Sequence, residues 1–172
     1  MNYFKSFVML FCGLIYMSDI YAQEHATHAH EHASNEIGIS GGALYAFGHT
    51  EWGGGAHIHY FRTLGVHSKW SLGGSLEQAW VDGNHFNFGI GVKYQIFNRL
   101  SISAFPGVTF FSHKEADGHD TDELQNKRFN LHFELVYDLF HWENFHAGPV
   151  LDYSLQKNDS HAMIGMHVAF CF

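Results

Sequence analysis

The 172-residue chain is poor in cysteine, proline and positive charge, and each shortage excludes something. Two cysteines, Cys12 and Cys171, cannot build the disulfide framework of a small secreted domain. With 2 prolines among 17% aromatic residues, most of the chain cannot be a disordered linker. Nine Lys and Arg against 17 Asp and Glu leave a formal charge of −8, which denies the chain the basic surface of a nucleic-acid binder. Helical apolar spacing is also missing. What remains is 46% hydrophobic, with 17 Phe, 18 Gly and 16 His, at a length that suits one domain.

The beginning of the chain separates into two pieces. Residues 1–22 combine Lys5 with an apolar run from Phe7 to Met17 and end in Ile20-Tyr21-Ala22, the pattern of a signal peptide cleaved after Ala22. The run is short for a helix that must cross ~20 residues of bilayer. Phe11 is too bulky to precede an acylated Cys12, which argues against a lipoprotein. Removal of this piece leaves Cys171 as the sole thiol. Residues 23–35 (QEHATHAHEHASN) have no apolar periodicity and read as a disordered His-rich tail.

From Glu36 to Phe172 the residues alternate with a period of two, which indicates β-strands with unlike faces. In the clearest case Phe86, Phe88, Ile90, Val92, Tyr94 and Ile96 oppose His85, Asn87, Gly89, Gly91, Lys93 and Gln95. Phe129, Leu131, Phe133 and Leu135 likewise oppose Asn130, His132 and Glu134, and Ile164, Met166, Val168 and Phe170 oppose Gly165, His167 and Cys171. Eight such strands are expected, with Gly53–Gly55 read as a turn.

Eight amphipathic strands fit either a soluble sandwich or barrel with its apolar face inward, or a membrane barrel with that face on lipid. The large aromatic faces, the Gly, Ser, Asn and charged residues opposite them, and strands of roughly ten residues favour the membrane barrel. Tight connections at His67–Lys69, Asn98-Arg99 and His141–Asn144 alternate with generally longer ones, including the acidic segment from Ser112 to Lys127. Short periplasmic turns and longer outer loops place both termini in the periplasm. The expected fold is therefore all-β, an eight-stranded antiparallel transmembrane up-and-down β-barrel over residues 36–172.

The final strand, Ile164 to Phe172, has apolar residues at alternate positions and ends on an aromatic residue. It resembles the assembly signal of bacterial outer-membrane barrels, and the chain as a whole resembles the small barrels of the outer membrane protein A, X and W type. That resemblance implies a monomer in a Gram-negative outer membrane, inserted by the barrel-assembly machinery through Phe172. It also implies contact with outer-membrane lipid and lipopolysaccharide. The resemblance is architectural rather than functional; the role expected is structural or surface-interacting, and an eight-stranded interior is too narrow to pass solutes.

The histidines offer the chain's metal chemistry. His25, His28, His30 and His32 stand at short spacing beside Glu24 and Glu31, and a flexible tail of this kind can wrap labile Zn, Cu or Ni. The competing reading is a solvated spacer. His57, His59, His85, His132, His146, His161 and His167 fall on the polar strand faces with Glu77, Lys93, Glu134, Asp138 and Asp152. A packed network is the expected arrangement in so narrow a barrel, with His132 and Glu134 as a pair able to share a metal. The acidic segment lacks the spacing and closing Glu of an EF-hand. A lipid A-modifying enzyme is a further alternative, but the His-x-Ser-Asn element of lipid A deacylases is absent and no Ser–His–acid arrangement stands out. No cofactor is required by any motif.

Overall fold

The computed structural model describes residues 35–48, 50–65, 67–81, 83–112, 126–157 and 160–172. The expected signal peptide, the tail histidines His25, His28, His30 and His32, and most of the acidic segment between Ser112 and Lys127 lie outside them. The described residues form nine β-strands: β1 (Asn35–Ala46), β2 (Glu51–Thr63), β3 (Trp70–Trp80), β4 (Asn84–Phe97), β5 (Leu100–Ser112), β6 (Asn126–Tyr137), β7 (Phe140–Trp142), β8 (Phe145–Gln156) and β9 (His161–Cys171). All pairings are antiparallel; β1 pairs with β9 and β6 with β8, so the sheet closes on itself.

The short β7 continues β6. Val136 faces Val150 and Phe140 faces Ala147, so Tyr137, Asp138 and Leu139 stand opposite only Gly148 and Pro149. One extra residue makes a bulge and bends the strand. Counted as staves, the wall has the expected eight.

The stagger of the staves fixes the barrel's shape. Partner by partner, the ladder runs from Asn35 through Arg62, Leu72, Val92, Ala104, Phe133, Tyr153 and Ala162, and returns to β1 at Tyr45, ten residues along. Such a shear requires strongly tilted strands, typically about 35–45° from the axis, and eight staves enclose a bore just wide enough for side chains to fill. The seam between β1 and β9 is closed at one rim by reciprocal bonds at 2.9 Å between the backbones of Asn35 and Phe172.

Burial is the reverse of a soluble protein's. Ile90 is 67% exposed, Phe129 69% and Trp52 71%, whereas His57, His132, Glu134 and Asp152 are each 1% exposed. Apolar side chains facing out and ionisable ones facing in decide between the two architectures, because only lipid makes such an outer face favourable. Aromatic girdles mark both rims. Trp70 packs on Tyr94 and Phe145 on Phe170 at the end carrying the C-terminus; Tyr45 packs on Trp52 and Phe47 on Tyr153 at the other.

Two expectations need correction. Gly53–Gly55 is not a turn but the start of β2, paired with Ala43 and Trp80 through Gly54. A Cβ on Gly53 would stand 2.2 Å from the Trp80 carbonyl oxygen, and one on Gly55 2.8 Å from Met163 Sδ, so close packing rather than turning explains these glycines. Nor does connection length alternate cleanly. The hairpins at Asn98-Arg99 and Glu143-Asn144 are tight, but Leu64 to Lys69 is longer than the links 47–50 and 81–83. Its ends are tied by Leu64 N donating to the Trp70 carbonyl at 3.0 Å and Trp70 N donating to Ser68 Oγ at 3.0 Å.

Leu44, Ala46, Ala79, Val81 and Met163 form an apolar cluster inside the rim opposite the C-terminus. Phe61 and Phe105 meet deeper in the bore at 5.4 Å. Ile90 lies midway along β4, so Ile90→Lys should destabilise the barrel by roughly 2–4 kcal/mol in lipid vesicles, while Phe97→Lys at the rim should cost about 0–1 kcal/mol. Urea unfolding of the two variants in phospholipid vesicles checks this depth dependence.

Candidate functional site

Strand alternation turns Glu36, His57, His59, Glu77, Lys93, His132, Glu134, His146, Asp152, His161 and His167 into the bore, and the β6–β7 bulge adds Asp138. Adjacent staves set Glu77 opposite His57 and Asp152 opposite Glu134. Several short contacts, however, run across the bore between staves that are not neighbours: Lys93 to Glu36, His57 to Glu134 and His161 to Glu77. Walls too close together for bulk solvent leave the polar groups to satisfy one another.

Toward the C-terminal rim, Lys93 Nζ donates to Glu36 at 2.7 Å, and the same carboxylate lies 3.3 Å from His59 Nε2 and 3.4 Å from His146 Nε2. His146 Nδ1 sits 2.7 Å from Asp138. At the centre, Glu134 stands between His57 Nδ1 at 3.0 Å and His59 Nδ1 at 3.6 Å. In the opposite half, Glu77 stands 3.0 Å from His161 Nε2 and 3.1 Å from His132 Nδ1, and accepts from Asn87 Nδ2 at 3.1 Å. Carboxylates and imidazoles thus alternate along the bore.

The charge balance is uneven. Five carboxyl groups (Glu36, Glu77, Glu134, Asp138 and Asp152) face the bore, and among the described residues Lys93 is the one lysine or arginine set among them. Phe61 shields that lysine, with Nζ 5.7 Å from the ring centroid. Isolated buried carboxylates would be very costly, so the carboxyl groups beyond the one that Lys93 balances must pair with imidazoles or another cation, or carry a proton. Ligand atoms gather within 4.8 Å of one another in several groups, including Glu36–His59–His167, Asp138–His146–His167 and His57–His132–Asp152. This geometry is compatible with metal coordination.

The fold is that of the small transmembrane barrels. Neisserial surface protein A matches at 8% identity over 81% of this chain and 97% of its own, with a TM-score of 0.59. Ail, the attachment invasion locus protein of Yersinia pestis, in complex with the heparin analogue sucrose octasulfate, matches at 13% identity over 80% and 97%, with a TM-score of 0.54. The N-terminal β-barrel domain of Pseudomonas aeruginosa OprF matches at 18% identity over 80% and 97%, with a TM-score of 0.50. No protein-family model and no curated protein sequence matches the chain. At these identities the likeness is one of architecture.

Every histidine assigned to a polar strand face is buried in the bore. His132 and Glu134 do not form the pair expected from their spacing. His132 turns to Glu77 and Asp152, whereas Glu134 turns to His57 and His59. Glu36, at the edge of the expected tail, is a hub that sequence reading missed, although its even-numbered place beside Gly38 and Ser40 puts it on the inward face. Phe105 was likewise missed; it is fully buried and packs edge-on to His57 at 5.2 Å.

Lys93→Met would leave Glu36 without its fixed counter-charge and should cost about 3–5 kcal/mol of stability. Adding Glu36→Gln should recover part of that loss. Equilibrium unfolding of the single and double variants in lipid vesicles reads both values.

Proposed function

We propose that this protein is a monomeric outer-membrane barrel with a structural or surface-interaction role, non-enzymatic and closed to solutes. The observation that carries the reading is the inverted burial: an apolar, aromatic-girdled exterior around a bore filled by polar side chains and the Leu44–Met163 cluster. Ser154, the most buried serine, donates to Asn130 at 2.8 Å rather than to a histidine, which speaks against a serine nucleophile there. Asn35, where β1 begins, meets Phe172 at one rim, which this reading places in the periplasm; Phe172 is then the residue read by the assembly machinery.

The outer rim suggests the partner. Arg128, Phe129, Leu155, Gln156 and Lys157 line one shallow groove, with Arg128 Nη1 donating to the Lys157 carbonyl at 3.3 Å and Lys127 over the Phe110 ring at 5.8 Å. Cationic groups above exposed Phe129 and Leu155 match a phosphorylated lipid such as lipopolysaccharide, phosphate at the rim and acyl chain along the wall. The sulfated ligand bound by Ail is a precedent for this fold carrying a polyanion.

A second reading is metal handling by the tail through His25, His28, His30 and His32, which rests on their short spacing beside Glu24 and Glu31. Zinc or copper titration of a peptide covering residues 23–35 tests it. Binding no tighter than free histidine would remove that role.

For the main reading, the unboiled protein should migrate differently from the boiled one in electrophoresis and should give no steady conductance in planar bilayers. Arg128→Ala with Lys157→Ala should weaken lipopolysaccharide binding by about 2 kcal/mol, roughly 1 kcal/mol per charge, read by co-sedimentation. Deleting Phe172 should lower membrane insertion.

A further inference from the structure

The bore holds a set of side chains whose leftover atoms all point to one kind of ligand. His57, His132 and Asp152 are each 1% exposed, and they offer ligand atoms within 4.8 Å of one another. His57 Nε2, His132 Nε2 and both oxygens of Asp152 make no hydrogen bond among the described residues, although His132 Nε2 and Asp152 Oδ1 approach to 3.7 Å. Four such atoms deep inside a barrel are costly unless something binds them.

The other nitrogen of each imidazole faces a carboxylate, in hydrogen-bond geometry for His57 and as an ion-pair contact for His132. His57 Nδ1 stands 3.0 Å from Glu134 Oε2, and His132 Nδ1 stands 3.1 Å from Glu77 Oε2. A carboxylate behind the far nitrogen of a ligating histidine fixes the ring, sets its tautomer and strengthens the nitrogen that faces the metal. Glu77 is itself held by His161 and Asn87, and Glu134 is flanked by His59. Two histidines and one carboxylate, with orienting carboxylates behind both histidines, are a donor set for a first-row divalent ion.

We propose that His57, His132 and Asp152 bind one divalent transition-metal ion, zinc being the reference case, inside the barrel. Glu134 and Glu77 act as positioning residues through His57 and His132. The ion would offset part of the excess of carboxylates over Lys93 in the bore. Its role is to cross-link β2, β6 and β8 from within, three staves that the ladder alone does not join all together. Because the bore is closed, loading accompanies folding rather than following it. The inference rests on the barrel reading but not on the lipopolysaccharide role or the tail.

The test uses the full chain carrying His25→Ser, His28→Ser, His30→Ser and His32→Ser, refolded into detergent micelles with zinc and dialysed against buffer. Mobility before and after boiling establishes separately that the barrel has formed. Elemental analysis should then find one zinc per folded barrel. In the same background Asp152→Asn or His132→Gln should lose it, while Glu77→Gln should weaken binding 10–100-fold and His167→Gln should leave it unchanged. Refolding with cobalt should give visible ligand-field absorption that disappears in His132→Gln. A folded tail-substituted barrel without metal would overturn the proposal. So would full retention in folded Asp152→Asn, or loss in His167→Gln alone.

Discussion

A barrel wall that faces lipid on one side and a side-chain-filled bore on the other leaves each residue one of two environments, and closure of the β6–β8 and β1–β9 seams imposes that division on every strand. The hydrogen-bond ladder supplies the connection. Without it, backbone groups in hydrocarbon would be unsatisfied, and open edges would be intolerable at membrane depth. Once the ladder closes with its ten-residue stagger, odd and even positions are sorted around the whole circumference.

The chemistry of the interior follows from that sorting. Glu36, Glu77 and Glu134 lie on β1, β3 and β6, yet each becomes the centre of its own group of imidazoles. The bore is narrow enough for Glu134 to reach His57 and His59 on β2 across the lumen. Aromatic rings fill the gaps: Phe105 touches His57, His132 and Phe61, and His59 stacks on His167 at 5.2 Å. Neutral packing and ionic pairing therefore share one space, and each limits how the other can rearrange.

Much of this was legible in the chain. Strand number, the lipid-facing set and the inward histidines are carried by a period of two that survives in every long strand. Local irregularities were not legible. Gly53–Gly55 has turn composition but serves close strand packing, and the bulge at Tyr137–Leu139 leaves no compositional mark. Glu36 was hidden because a strand's first inward residue looks like the last residue of a polar tail.

The sequence by itself determined the two-faced strands, their number and the residues that enter the bore, because side-chain direction in a strand depends only on parity. Tertiary structure decided which of those residues meet. His132 joins Glu77 and Asp152 instead of Glu134, two positions away, because neighbouring inward side chains on one strand stack along the axis, while the stagger of the closed ladder brings β3 and β8 to its level. Parity is local, whereas register around a closed barrel belongs to the whole sheet.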